Sequence, residues 1–269
     1  MQNLESRVVG PEEIGRKFFT GFHLKIIGVF LMVFDHTYQM FYAYGAPEWF
    51  NWLGRPVAPI FLFLCAEGFH HTGNKKRYMS LLFSGFLFMN VVSTFLTAKM
   101  RLEDVALINN IFGTLFVSTL YMLLSDIFRK GVKEKRAGRV FLSLLGMLLP
   151  VGVGISLIAA EGIPIWLRVA LLRYIPNPVT VEGGFALTFL GVWFHLCGPS
   201  RFLQNLAVLA LGILSFTSGG GAQWLMIFSI IPISLYNGKR GGGGKYFFYI
   251  FYPAHIYALY ITAWLSSQR

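Results

Sequence analysis

The sequence predicts an all-α integral membrane protein, a polytopic helical bundle of about nine (eight to ten) transmembrane helices. Three observations predict it. Apolar segments of about twenty residues, the length a bilayer requires, recur through the whole chain. Hydrophobic residues make up 55% of the 269 residues and charged residues 13%, against about 25% charged in soluble domains. Lys and Arg gather in short clusters between the apolar segments, as the positive-inside rule describes. The 27 Phe and 12 Tyr suit lipid-facing and interfacial positions.

In chain order, residues 1–21 are polar, carry no cleavable signal pattern and read as a cytoplasmic tail. The expected spans are 22–44, 56–72, 78–98, 105–128, 140–160, 183–199, 202–218, 222–236 and 246–265. Residues 22–269 read as one membrane domain, with no separate soluble unit. With the amino terminus inside, Lys75-Lys76-Arg77, the run from Arg129 to Arg139, Arg201, and Lys239-Arg240 with Lys245 all fall on the inner side. Lys99 and Arg101 fall outside, diluted by Glu103 and Asp104. The net charge of +11 is therefore read as topology, not as a nucleic-acid surface. Residues 162–180 hold an apolar stretch bounded by Pro164 and Pro176 that includes Arg168 and Arg173. An interfacial helix on the outer face is preferred there over a tenth span, because two arginines at mid-bilayer are expensive.

Several patterns exclude chemistry. Cys65 and Cys197 lie in apolar segments with no CxxC spacing, so neither a disulfide framework nor a zinc site is expected. Gly219 to Gly221 and Gly241 to Gly244 match no phosphate-binding loop and read as flexible connections. Glu67 with His70 and His71 has the spacing of helix-bundle metal sites, but no second copy exists, and no metal is expected.

Asp35-His36, inside the apolar run 24–40, carries the functional argument. An ionisable group at bilayer depth costs roughly 2.5 to 3.5 kcal/mol, so it persists where it faces a protein interior or a water-filled cavity. The competing reading is a pair that only ties helices together. Lys25 lies eleven residues before His36, about three turns and roughly 16 Å below it on the same face. Asp35 is displaced by about 100° toward a neighbouring helix, so the partner of His36 can be another residue. His255, beyond Pro253 in the last span, lies at a similar depth and makes a candidate pair with His36. Glu182 precedes Gly183-Gly184 at the start of a span, where an acid caps a helix. His195 reads as interfacial.

LKIIGVFLMVFDH (24–36), GRPVAPIFLFLCAEGFHHTGNKKRY (54–78), VEGG (181–184), QW (223–224) with LYNGKRG (235–241), and FFYIFYPAHIYALY (247–260) together resemble the TraX family, named for the acetylase of conjugative pilin. The resemblance covers nearly the whole chain. It implies a bacterial plasma-membrane acyltransferase that uses acetyl-CoA and a membrane-embedded histidine. Carried over, His36 is the catalytic histidine with Asp35 beside it, and Arg55, Glu67, His70, Asn74 and His255 match recurrent polar positions. The expected catalytic group is His36, Asp35, His255 and Glu67. The expected acetyl-CoA contacts are Lys25, Arg55, His70, His71, Asn74, Lys75, Lys76, Arg77, Tyr252, Asn237, Lys239 and Arg240. The other partners are membrane lipid and a cell-surface acceptor, a glycan or a protein amino terminus. His36 would serve as general base or as transient carrier of the acetyl group. Three readings stand beside this one: a proton-coupled transporter using the buried charges as a relay, a haem protein using His36 and His255, and a non-catalytic scaffold.

Overall fold

The computed structural model describes residues 18–268; residues 1–17, most of the expected tail and the Arg16-Lys17 cluster, lie outside the described residues. The described chain is helical, without a β-strand; Phe19 and Tyr236 form one isolated parallel bridge.

Helix α1 spans Gly21–Phe41. Its start is fixed by a reciprocal cap in which Thr20 Oγ1 accepts the His23 N–H and His23 Nδ1 accepts the Thr20 N–H. Leu24, Gly28, Met32, His36 and Met40 form its buried stripe, spaced every four residues. His36 is therefore on the face that packs into the bundle. A 3-10 turn (Tyr42–Tyr44) and short helix α2 (Trp49–Gly54) lead to α3 (Val57–His71), with Pro56 at the break between them. Helix α3 is buried on most sides and forms the centre of the bundle. Helix α4 (Lys75–Lys99) is capped by Asn74, whose side chain accepts the Arg77 N–H at 2.9 Å.

Helix α5 spans Ile111–Lys133 and α6 Ala137–Ala159. The expected span 105–128 thus begins six residues late, because 105–110 are non-helical and fastened by Asn110. Asn110 Nδ2 donates to the Phe86 carbonyl and to Asn90 Oδ1. Helix α6 lies at the periphery, with most of its apolar side chains exposed, as a lipid-facing helix requires. Helix α7 (Ile165–Tyr174) has ten residues, about 15 Å of rise, half of a hydrocarbon core of about 30 Å. Helices α8 (Gly184–Leu196) and α9 (Arg201–Thr217), a 3-10 helix (Gly221–Ser229) continuing into α10 (Ile230–Ser234), and α11 (Lys245–Ser267) complete the chain.

Four segments are long and apolar enough to cross a membrane by length and composition: Trp49–His71, Lys75–Lys99, Ile111–Lys133 and Ala137–Ala159. Helices α1 and α11 have the length but carry ionisable and phenolic residues within it. The helices of α8, α9 and 221–234 are apolar but shorter.

Helix pairing gathers the basic clusters at one end. Residues 19–22 hydrogen-bond to 235–240: Gly21 N–H donates to the Lys239 carbonyl at 2.9 Å and Phe22 N–H to that of Arg240 at 3.0 Å. Lys75 and Arg201 are at the same end, through contacts to α5 and α3. Glu103, Asp104 and Glu182 are at the opposite end.

Candidate functional site

A cavity of about 930 Å³ lies inside the bundle. Helix α1 supplies one wall along its length, from Lys25 through Val29, Met32 and His36 to Gln39 and Tyr42. Seventeen residues separate Lys25 from Tyr42, about 26 Å of helical rise. The cavity therefore reaches from the basic end toward the acidic end. Its basic mouth has Lys25, His71, Thr72, Arg240 and Phe248, and its middle is apolar, with Phe61, Leu64, Cys65 and Leu115. Its far end is polar, with Asp35, Arg55, Asn109, Glu182 and Gln223.

His36 is buried at the middle of this wall. Its Nδ1 lies 2.7 Å from His255 Nε2, and the rings stack at 4.9 Å. His255 Nδ1 lies 2.8 Å from the Phe251 carbonyl. A carbonyl only accepts, so His255 Nδ1 carries the proton and Nε2 presents its lone pair. His36 Nδ1–H then donates into that lone pair. The remaining ring nitrogen, His36 Nε2, is left basic. The chain Phe251 carbonyl, His255, His36 thus fixes one tautomer on each ring. Two nitrogens joined at 2.7 Å also leave no room for an iron between them, since ligand bonds of about 2.0 Å on each side would hold them roughly 4 Å apart. A haem whose iron joins those two nitrogens does not fit that geometry.

Asp35 does not hold His36. Its carboxylate pairs with the Arg55 guanidinium. Arg55 also donates to the Asn51 carbonyl at 3.0 Å and to Gln223 Oε1 at 3.1 Å. Asp35 packs where a Cβ on Gly54 would overlap it, so the glycine before Arg55 makes room for the pair. Tyr252 lies beside the histidines, 6.0 Å from His36 between ring centres, and its hydroxyl accepts the Ile111 N–H at 3.1 Å.

Glu182 is the acid that sequence reasoning assigned to a helix cap. The structure corrects this: the N-cap of α8 is Gly183, without a side-chain cap bond, and Glu182 lines the cavity. Its Oε2 accepts the Asn110 N–H at 2.8 Å. Burial pushes this carboxyl up to about 7; the Asn110 N–H pulls it down, Asp35 raises it and Arg55 lowers it.

The TraX family model, described as TraX protein, matches residues 21–263. The chain belongs to the TraX family. A curated relative described as "Probable fimbrial assembly protein FimC, serogroup H1", from Dichelobacter nodosus, is 28% identical over 257 residues, covering 93% of this chain and 98% of that protein. No solved structure matches. Apolar helices and family together make this a membrane protein.

The remaining expected residues of this TraX family member are dispersed. Of the acetyl-CoA group, Lys25, Arg55, His71, Tyr252 and Arg240 line the cavity. Lys25 Nζ lies 5.1 Å from the Phe248 ring centre. Asn237 accepts the Lys239 N–H and shapes the strap 235–240 instead of lining the cavity. Asn74 is the α4 cap. Lys76, Arg77 and Lys239 are exposed at the basic end. Glu67 is not near His36. Its carboxylate faces Arg201 at 3.4 Å, and Arg201 stacks over Phe63 and Tyr236, which makes Glu67 part of a staple between α3 and α9.

His70 and Lys75 belong to a cluster the sequence did not suggest. His70 stacks on His195 at 4.5 Å, His195 Nε2 lies 2.8 Å from Asp126, and Asp126 pairs with Lys75 at 2.7 Å. Four helices meet there, and the Lys75 charge is matched within the protein. No local spacing links these four residues, so only the fold could reveal them. Gln223 and Glu182 had a signal in the QW and VEGG strings, but not a role.

Proposed function

We propose that this protein is an integral-membrane acyltransferase that moves an acetyl group from acetyl-CoA to a hydroxyl or amine of a surface acceptor. One observation carries the proposal: a single cavity runs from the basic end to the acidic end, with a tautomer-fixed His36–His255 pair on its wall midway. The donor set fits the cosubstrate. Lys25, Arg240 and His71 at the mouth, with exposed Lys76, Arg77 and Lys239 at the same end, suit a polyanionic nucleotide. The apolar middle suits a pantetheine arm, over the roughly 16 Å of helix between Lys25 and His36.

His36 Nε2 is the reacting nitrogen. As a base it takes the acceptor's proton while the acceptor atom bonds to the thioester carbonyl, the C–S bond breaks and the thiolate leaves. As a carrier it bonds to that carbonyl itself, again displacing the thiolate. His255 Nε2 stands ready to take the Nδ1 proton from the resulting cation. The Asp35–Arg55 pair adds a guanidinium at the acidic end of the cavity, available to a developing oxyanion.

A bacterial plasma-membrane location, a cytoplasmic amino terminus and about nine crossings belong to this proposal. The pairing of 19–22 with 235–240 supports it, since both segments then share one side and the crossings between them are even in number. The TraX family is named for pilin acetylation, and the relative is described as a fimbrial assembly protein. Both favour a protein of a surface appendage over a glycan as acceptor.

The test supplies labelled acetyl-CoA to purified protein in nanodiscs and follows CoA release and label on the protein. Wild type is expected to release CoA, and His36→Ala to lose at least about 100-fold. Equal turnover in both removes His36 from the chemistry. Absence of turnover in both, with flux of a charged solute through proteoliposomes, favours the transporter reading.

A further inference from the structure

Glu182 is aimed at the cavity by a turn built for that purpose. Gly183 and Gly184 follow it with φ of +72° and +55°, a conformation that side chains rarely adopt. A Cβ on Gly183 would also overlap Leu187. The backbone of the turn is tied down by Thr114, whose hydroxyl donates to the Glu182 carbonyl at 2.6 Å. The carboxylate is tied at Oε2 by the Asn110 N–H. The next amide along, Ile111 N–H, donates to Tyr252. Consecutive amides of one segment thus hold Glu182 and Tyr252, and Tyr252 packs against His36. The result is two proton acceptors in one cavity on separate elements. His36 is on the wall at the middle of the cavity, and Glu182 is at its acidic end. Asp35, Arg55 and Tyr252 are the charged and titratable groups facing it.

We infer that Glu182 is the general base that takes the acceptor's proton, while His36 carries the acetyl group between the two substrates. The inference rests on the acyltransferase reading. In the second half-reaction the acceptor O–H or N–H proton moves to Glu182 Oε1, and the acceptor atom bonds to the acetyl carbonyl carbon. The bond from that carbon to His36 Nε2 breaks, and its electron pair returns to the ring. Glu182 then loses the proton to water at the acidic end. A base held up to about 7 suits this work near neutral pH.

The experiment separates the two half-reactions in full-length protein in nanodiscs. Exchange of labelled CoA into acetyl-CoA reports the His36 step alone. Transfer to glycinamide, to octyl glucoside or to water reports the acceptor step. Glu182→Gln is expected to keep exchange within about 2-fold, lose transfer by roughly 100-fold, and lose the rise in rate with pH through about 7. Glu182→Asp, which retains a carboxylate, is expected to restore part of the transfer. His36→Ala is expected to lose both. Turnover without exchange in wild type overturns the inference and leaves the acyltransferase reading standing, because His36 is then the direct base. Glu182→Gln that transfers normally, or that loses exchange as well while remaining folded, also overturns it. Wild type with neither exchange nor transfer overturns the acyltransferase reading itself.

Discussion

His255 shows how much one side chain decides. It accepts from His36 and donates to Phe251, so its presence sets the tautomer of the reacting ring. His255→Phe keeps an aromatic ring and removes the acceptor, leaving His36 Nδ1–H without this partner. CoA release is expected to fall by roughly 10- to 100-fold with folding retained, and rate assays beside thermal melts check both halves. An unchanged rate would mean that His36 needs no orienting partner. The sequence made His36 and His255 legible because both lie at matching depth on long apolar helices. It could not make the Asp35–Arg55 pair legible, because that contact closes over the turn and short helix of residues 42–54 and depends on Gly54 to let the carboxylate in. Asp35 beside His36 in sequence suggested the wrong partner for a geometric reason: adjacent helical side chains diverge by about 100°.

Elements were read well wherever apolar length and a breaker agreed. The observed ends of α4, α6, α9 and α11 fall within three residues of the expected spans. The start of α5 differs from the expected span because Val105 and Leu107 are buried while non-helical, so their apolar character mimics a helix. Packing between elements rests on small residues. Gly191 of α8 lies so close to α5 and α3 that a Cβ would sit 2.9 Å from Ser118 Oγ and 3.0 Å from Leu62. Gly152 of α6 has nothing within 4 Å. Gly191→Leu is expected to cost about 1 to 3 kcal/mol through overpacking. Gly152→Ala is expected to be neutral or to stabilise by up to about 1 kcal/mol, because alanine favours a helix. Melting temperatures in detergent check the pair, and similar shifts for both would deny that α8 is a packed helix and α6 a peripheral one.

At the scale of the whole molecule, the question is which ends share a side of the membrane. Clustered Lys and Arg suggest one answer from sequence, and the strap 235–240, bonded to 19–22, holds those two segments at one end of the bundle. With the eight other crossings proposed between them, a crossing by α7 would put those two segments on opposite faces, and their backbone hydrogen bonds would not form. Ten residues, with Arg168 donating to the Ala160 carbonyl and Asn90 holding the Arg173 carbonyl, instead suit a helix lying at the acidic end. Single cysteines placed at exposed positions test this directly, in a background with Cys65 and Cys197 replaced by Ala. In intact cells an impermeant maleimide is expected to label Glu103→Cys and Glu161→Cys, and to spare Lys76→Cys and Gly242→Cys until the cells are opened. Labelling of Lys76→Cys and Gly242→Cys from outside, with Glu103→Cys spared, would invert the orientation. Labelling of Gly242→Cys from outside while Lys76→Cys stays protected would restore the tenth span and break the strap. Only protection of both fits the proposed transfer, in which the cations at the cavity mouth would face the compartment that holds acetyl-CoA and Glu182 at the far end would face the acceptor.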